Sequence, residues 1–294
     1  LNRTLRRLPA GAGIVSLLTF AFSRGRQAWV TGRGGQRALH LSEIIGMTIL
    51  WIAEYLALGA FAGFLAGMLG IGGGLVLVPA LTLMFAAQGQ VPAGETLHMA
   101  LGTSMASIIF TAIASIRTHQ SHGAILWDVV RTLTPGILFG TALGTLFASS
   151  VPARPLAVFF TFFVCAVALQ MALNLKPKPA RELPGPFGVA GVGLAIGVLS
   201  SLVAIGGGSL TVPFLTWCNV RVQNAIGTSA AVGLPIALGG TLGYVFNGWG
   251  QTGLPAASLG YVYLPVLAVL VLATVLTAPL GARLMPGGMH PWMD

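Results

Sequence analysis

The chain contains the stretch Gly70-Ile-Gly-Gly-Gly-Leu-Val-Leu-Val-Pro-Ala-Leu81, and the same pattern returns as Ala204-Ile-Gly-Gly-Gly-Ser-Leu-Thr-Val-Pro-Phe-Leu215. A constant offset of 134 residues relates the two copies. Downstream, a second pair follows in the same order, Ala100-Leu-Gly-Thr-Ser104 and Ala225-Ile-Gly-Thr-Ser229. Self-similarity at two separate motifs indicates an internal duplication, so we expect two homologous halves.

The composition around these motifs is that of a membrane protein. Of 294 residues, 55% are hydrophobic and 7% are charged, and the mean hydropathy is +0.87, which excludes a water-soluble fold. A helix needs roughly 20 apolar residues to cross the hydrocarbon core. Long unbroken apolar runs favour helices over the alternating strands of a barrel. The sequence predicts an all-α polytopic membrane protein with about seven to eight spanning helices in two homologous halves, each with a glycine-broken half-helix. The segments that reach spanning length are 44–69, 96–116, 129–149, 155–175, 187–205, 224–246 and 258–282.

The three consecutive glycines of each motif predict a break in a helix. Each glycine costs roughly 1 kcal/mol relative to alanine inside a helix, and irregular backbone in a membrane is tolerated where it is buried or lines a wet cavity. The short segments 75–86 and 209–218 then form half-helices that begin at the breaks, near Pro79 and Pro213. Their free N–H groups and positive dipole ends suit an anion. Close helix packing is the alternative, and it is our interpretation of Gly59/Gly63/Gly67 and Gly136/Gly140/Gly144.

The candidate substrate-binding residues lie at these two motifs. They are Gly72, Gly73, Gly74, Gly206, Gly207 and Gly208, together with Thr103, Ser104, Thr228 and Ser229. The duplicated hydroxyls could donate hydrogen bonds to an oxyanion without adding a fixed charge, or bond the carbonyl four residues back in their own helices. Glu54 stands inside a long apolar run and is a candidate proton carrier or gate, with a position nearer the surface as the alternative.

The formal charge of +9 is distributed over short loops and termini, which excludes a nucleic-acid surface and indicates topology signals. We expect residues 1–43 to be a basic, cytoplasmic or mis-started extension, 44–175 the first transmembrane repeat, 176–186 a cytoplasmic linker, and 187–294 the second repeat. By continuation the C-terminus would lie outside. His98, at the edge of a span, and the basic cytoplasmic loop of Arg117, His119 and His122 are expected to be solvated charges. The alternative is that they gather anions at the cytoplasmic mouth.

Nothing in the sequence indicates catalysis, a cofactor or a metal. The spans contain no Ser/His/Asp set and no paired carboxylates. Cys165 and Cys218, the two cysteines, have neither a disulfide framework nor metal-ligand spacing. We therefore expect no enzyme activity, and we expect the lipid bilayer and a small anion as partners.

The motifs resemble those of the TauE/SafE sulfite-exporter family. The resemblance covers roughly residues 55–285 and rests on Ala62 to Leu81, on Ala100 to Ser104 with Gly123 and Trp127, and on second-half copies ending at Gly281-Ala-Arg283. It implies a multi-pass protein of the inner or plasma membrane that moves small sulfur-containing anions such as sulfite, sulfoacetate or other organosulfonates. One departure is that segment 155–175 has no counterpart in the second half, which apparently lacks its last helix.

These observations predict a secondary transporter, an exporter of small sulfur oxyanions, that holds its substrate between the two glycine breaks. Two alternatives remain at this point. One is a channel-like pore for anions or other solutes. The other is a non-transporting membrane assembly subunit, in which the glycines serve helix packing alone.

Overall fold

The computed structural model describes residues 35–69, 73–89, 91–173 and 183–283, with the backbone alone for 35–48. The chain divides into two compact units, Leu1–Trp51 and Ile52–Asp294. The described part contains nine helices: α1 Gly35–Leu69, α2 Gly74–Gln88, α3 Thr96–Ser121, α4 Trp127–Ser150, α5 Ala153–Ala172, α6 Pro186–Val203, α7 Gly208–Trp217, α8 Val222–Gly248 and α9 Leu264–Arg283.

Seven of these helices are long and apolar enough to cross a membrane, and they coincide with the seven predicted segments. The remaining two, α2 and α7, are the predicted half-helices. Large apolar side chains are exposed around the bundle, including Phe139, Phe162 and Phe246. In water such a surface would drive aggregation, whereas in a bilayer it faces lipid tails. The predicted all-α, multi-pass membrane fold is confirmed.

One boundary of the prediction is wrong. The last span was expected to begin at 258, but residues 258–263 form a small antiparallel hairpin of β1 (Ser258–Leu259) and β2 (Val262–Tyr263). Gly260, with a φ of 56°, turns the chain between these strands. The apolar composition of the hairpin concealed it, because hydropathy does not separate a buried turn from a helix start.

Helix α2 turns back along α1. The Gln88 side-chain amide at the end of α2 donates to the hydroxyl of Tyr55, early in the span Ile49–Met68 of α1, at 2.8 Å. At the other end of α2, Gly73 packs on the backbone of Ala62 in α1. The two helices are therefore antiparallel, so α2 is a re-entrant half-helix, and the following helix α3 runs in the same direction as α1.

The four-residue glycine repeats lie in close helix seams. A Cβ on Gly136 or Gly140 would overlap the α6 carbonyls of Ala190 or Leu194, and one on Gly63 would lie 2.7 Å from the α9 residue Thr274. Only glycine allows these backbones to approach so closely. The packing interpretation of these glycines is confirmed at Gly59, Gly63, Gly136, Gly140 and Gly144, and both seams, α4 with α6 and α1 with α9, are parallel.

The two repeats are inverted relative to one another. Along the central pair α3 and α8, Gly102 lies beside Tyr244, Met105 beside Gly240, and Leu126 beside Thr228, so the two helices are antiparallel. The corresponding helices α1 and α6 are antiparallel as well. Inversion requires one extra crossing between the repeats, and α5 supplies it. A counterpart of α5 is therefore not needed to pair the two breaks.

The inversion changes the predicted path of the chain. Arg117, Arg131 and Arg221 lie at the end of the bundle that also holds the end of α9, and Arg154 lies at the opposite end. Under the positive-inside rule we expect the arginine-rich end to be cytoplasmic, and we call it the inner end. Extrapolation by alternate crossings, which placed the C-terminus outside, did not count the returning half-helices, and the side on which the C-terminus lies stays a prediction. The predicted cytoplasmic location of residues 1–43 stays a prediction, and residues 1–34 lie outside the described residues.

Candidate substrate site at the paired helix breaks

Both breaks are built on the middle glycine of the motif. Gly73 has φ 76° and ψ −10°, and Gly207 has φ 85° and ψ −19°. This left-handed conformation is open to glycine at little cost, and it lets each carbonyl cap the half-helix that follows. The Gly73 carbonyl accepts from Leu77 N–H at 3.1 Å, and the Gly207 carbonyl accepts from Thr211 N–H at 2.7 Å. The half-helix starts predicted from the glycines agree with the structure.

Each half-helix begins with N–H groups that have no partner inside the helix, as at any helix N-terminus. For α7 these are the N–H groups of Gly208 and Ser209. The partial positive charge at such a terminus suits an anion. Pro79 and Pro213 are each the sixth residue of their half-helix, one turn deeper than the first turn. Each proline therefore also leaves a carbonyl, of Leu75 or Ser209, without its helical donor.

The two breaks meet in the middle of the bundle. A Cβ on Gly74, the first residue of α2, would overlap the carbonyl oxygen of Ala204, which follows α6 in the second break. On the far side of that break, a Cβ on Gly233 of α8 would lie 2.7 Å from the Gly206 carbonyl oxygen. The structure therefore brings together Gly74 of one motif and the backbone beside Gly206 to Gly208 of the other. Gly72 lies outside the described residues.

A small, partly open cavity of about 10 Å³ adjoins the second break. It has room for about one water molecule, so an anion the size of sulfite could enter only if the surrounding helices separate. Helices α1, α3 and α8 and the second break line it, through Ala66, Ile108, Thr111, Ala112, Ser115, Gly206, Ala230 and Gly233.

The paired threonines hold the two repeats together. The hydroxyl of Thr103 accepts from the N–H of Tyr263, directly before α9, at 3.1 Å. The hydroxyl of Thr228 accepts from the N–H of Leu126, directly before α4, at 3.0 Å. Each threonine thus crosses to the opposite repeat, and the two contacts are symmetric copies of each other. A contact with substrate stays a prediction for the remaining hydroxyl hydrogen of each.

The neighbouring serines differ between the halves. Ser229 donates to the carbonyl of Ile226 at 2.8 Å, which leaves it satisfied within its own helix. The Ser104 hydroxyl is buried and has no hydrogen-bond partner among the described residues. Of the two, Ser104 is the better candidate for a ligand contact, because a buried unpaired hydroxyl requires an explanation.

Sequence reasoning missed a row of polar residues on α3. Ser104, Ser107, Thr111, Ser115 and His119 recur at helical spacing and are each at least nine-tenths buried. We call this row the α3 ladder. Its signal was readable as a period of three to four residues in an apolar helix. At the same offset of 125 residues that relates Thr103 to Thr228, α8 carries Ser229, Val232, Ile236, Gly240 and Tyr244. The polar row is therefore confined to one repeat.

Other candidate residues lie away from the breaks. Glu54 is half-buried near the outer end of the span Ile49–Met68, about 18 Å along the helix from Ala66. Its role as a proton carrier or gate stays a prediction. The expectation of solvated histidines is wrong for two of the three: His98 is 4% exposed and His119 is 6% exposed. Within the described residues no group of three or more potential ligands could hold a metal.

His98 belongs to a cluster at the outer end. Its Nε2 lies 3.0 Å from the carbonyl oxygen of Ala148, and since a carbonyl only accepts, Nε2 carries the hydrogen. Its Nδ1 lies 3.7 Å from the Glu95 carboxylate, and its ring stacks on Tyr261. Burial, with Glu95 beside the phenol, raises the pKa of Tyr261 above its usual range, so the phenol stays protonated at neutral pH.

Inverted repeats with paired broken helices at the middle of the membrane are the architecture of secondary transporters. The comparisons with known proteins show the coarser class, a membrane transporter. The sulfite exporter TauE/SafE family matches residues 55–288. The chain belongs to that family.

Curated relatives support the same class. A probable membrane transporter protein of Haemophilus influenzae is 38% identical over 77% of this chain and 86% of its own length. A probable membrane transporter protein of Methanocaldococcus jannaschii is 28% identical over 80% of this chain and 87% of its own length. No solved structure matches the chain.

Proposed function

We propose that the protein is a secondary transporter of the cell membrane that exports small sulfur-containing anions such as sulfite or organosulfonates. The observation that carries the proposal is the meeting of the two duplicated breaks, where Gly74 abuts the backbone at Ala204. This junction sets the N-terminus of one half-helix against the backbone that leads into the other, and the two come from inverted repeats. The family name supplies the substrate class.

The chemistry of the junction favours an oxyanion that must be released as well as bound. The half-helix N-termini offer N–H groups and partial positive charge, and Ser104 adds a hydroxyl. No lysine or arginine stands within the described spans beside the breaks. Binding without a fixed counter-charge limits affinity, which helps substrate to leave on the far side of the membrane.

Movement of the repeats would open the site. The cavity is now too small for the anion, and the central helices α3 and α8 come from opposite repeats. Rocking one repeat against the other would expose the breaks first to one face and then to the other. Because the repeats are inverted copies, the two open states have related geometries.

Counterflow in proteoliposomes tests the proposal. Purified protein is reconstituted with unlabelled sulfite inside, and uptake of radiolabelled sulfite is followed over time. A transporter gives saturable uptake that internal sulfite accelerates, whereas a channel-like pore gives uptake without saturation or counterflow. Absence of both flux and sulfite-dependent thermal stabilisation would indicate a non-transporting subunit.

A further inference from the structure

His119, at the inner end of the α3 ladder, has a buried ring nitrogen without a hydrogen-bond partner among the described residues. The ring makes one hydrogen bond, to the backbone of Gly67 near the end of α1. Its Nε2 is buried and has no hydrogen-bond partner among the described residues. The bonded nitrogen, Nδ1, must carry a hydrogen because a carbonyl only accepts. In the neutral ring Nε2 is then a bare acceptor, and in the charged ring it is a donor.

The second repeat contains an equivalent of the hydrogen bond between His119 and Gly67. Tyr244 occupies the position equivalent to His119, at the offset of 125 residues, and Ser201 is equivalent to Gly67, at the offset of 134. The Tyr244 hydroxyl donates to the Ser201 carbonyl at 2.9 Å. Both contacts therefore tie the end of a broken helix to its neighbour. This tie needs one donor, which tyrosine supplies, so the second nitrogen of His119 is not required for it.

The ring lies next to the cavity. Ser115 is one turn earlier on α3, and Ala66 precedes Gly67 on α1; both line the cavity. The inner halves of α1, α2 and α8 carry no ionisable side chain. The charged or titratable groups described around this end are His122, which acts on the ring electrostatically, exposed Arg117, Arg221 before α8, and the exposed Asp128 and Arg131 of α4, 3.9 Å apart. All are basic except Asp128, which pairs with Arg131, and this balance favours an anion as the partner of the ring.

We propose that His119 Nε2 is the inner-side contact for the transported anion. A proton from the cytoplasmic solution charges the ring, Nδ1–H stays on the Gly67 carbonyl, and Nε2–H donates to an oxyanion entering from the inner side. Loss of that proton ends the interaction. Ser115 and Thr111 then continue the path from His119 toward the breaks. The inference rests on the proposed function for the identity of the anion.

Anion-dependent thermal stabilisation of purified protein tests this contact without needing transport. Sulfite, sulfate and chloride are titrated at about pH 5 and about pH 8, a range wide enough to charge a buried imidazole beside an anion at its lower end. His119→Gln keeps a donor for Gly67 but cannot be charged, and His119→Tyr places at this position the tyrosine that the second repeat has as Tyr244. His122→Gln, on the exposed neighbour, is the matched control, and Tyr244→Phe removes the outer tie alone.

For sulfite, we expect the apparent Kd of His119→Gln to be about tenfold higher than that of wild type at the lower pH. At the higher pH the two Kd values should be equal, so the ratio of variant Kd to wild-type Kd falls from about ten to about one. This Kd ratio reports the protonation of the His119 ring alone, because at a given pH sulfite has the same protonation state for both proteins. His119→Tyr should match His119→Gln, while the control variants keep the wild-type pH response. A ratio that does not change with pH, or a wild type that no anion stabilises, would overturn the contact.

The same variants separate this inference from the proposed function. Counterflow of sulfite that survives with an unchanged pH dependence in His119→Gln overturns the contact and leaves the transport function. Anion binding with the expected ratio but no sulfite flux in wild type overturns the transport function and leaves the contact.

Discussion

Replacing Thr103 by valine separates a structural role of the paired threonines from a role in substrate binding. Valine keeps the shape of the side chain but removes the oxygen that accepts from Tyr263 N–H at 3.1 Å. Loss of the acceptor at this fully buried position costs about 1–3 kcal/mol of unfolding free energy. Thr228→Val should cost a similar amount, because its hydroxyl makes the symmetric bond to Leu126.

The measurement is thermal unfolding in detergent, where about 2–4 °C of Tm accompanies each kcal/mol for a domain of this size. Thr103→Ser and Thr228→Ser keep the acceptor and are the matched controls. The two valine changes should add, since the bonds lie at opposite ends of the bundle. An unchanged Tm in both valine variants, with sulfite affinity reduced at least about tenfold, would refute the structural role and make the hydroxyls ligands.

Two further predictions concern packing and orientation. Gly74→Ala should lower the unfolding free energy by about 1–3 kcal/mol, because the added Cβ overlaps the Ala204 carbonyl. Gly191→Ala, in open space on α6, should raise it by roughly 0.5–1 kcal/mol. Chemical denaturation measures both variants, and equal effects would contradict the meeting of the breaks. The orientation is tested with single cysteines in a chain without its native cysteines. Gly94→Cys should react with a membrane-impermeant maleimide added outside cells, and Gln223→Cys should react only after permeabilisation. The reverse pattern would contradict the assigned orientation.

The sequence was sufficient to locate the helices. Predicted half-helices 75–86 and 209–218 correspond to Gly74–Gln88 and Gly208–Trp217, because consecutive glycines end a helix for reasons local to the chain. The direction of each half-helix was not predictable. Hydropathy gives the length of an apolar segment but not whether it crosses or returns, and the contact of Gln88 with Tyr55 joins residues far apart in sequence.

The surroundings of the polar side chains were also beyond the sequence. His98 and His119 resemble solvated loop charges because each lies near the end of a span. Both rings are buried because other helices pack over them and supply backbone hydrogen-bond partners, Ala148 for His98 and Gly67 for His119. The same holds for Thr103, whose partner Tyr263 belongs to the other repeat. The α3 ladder, by contrast, could have been found from its spacing alone.

Sulfite counterflow by a double variant of the two breaks, Gly73→Leu with Gly207→Leu, tests the central claim most directly. Both residues have positive φ, and a Cβ on Gly207 would lie 2.7 Å from Ile236. We predict loss of saturable counterflow in protein that still elutes as a single species. Gly94→Leu, in open space in the outer loop, should keep it. Wild-type counterflow in the double variant would contradict the claim that the paired breaks form the substrate path.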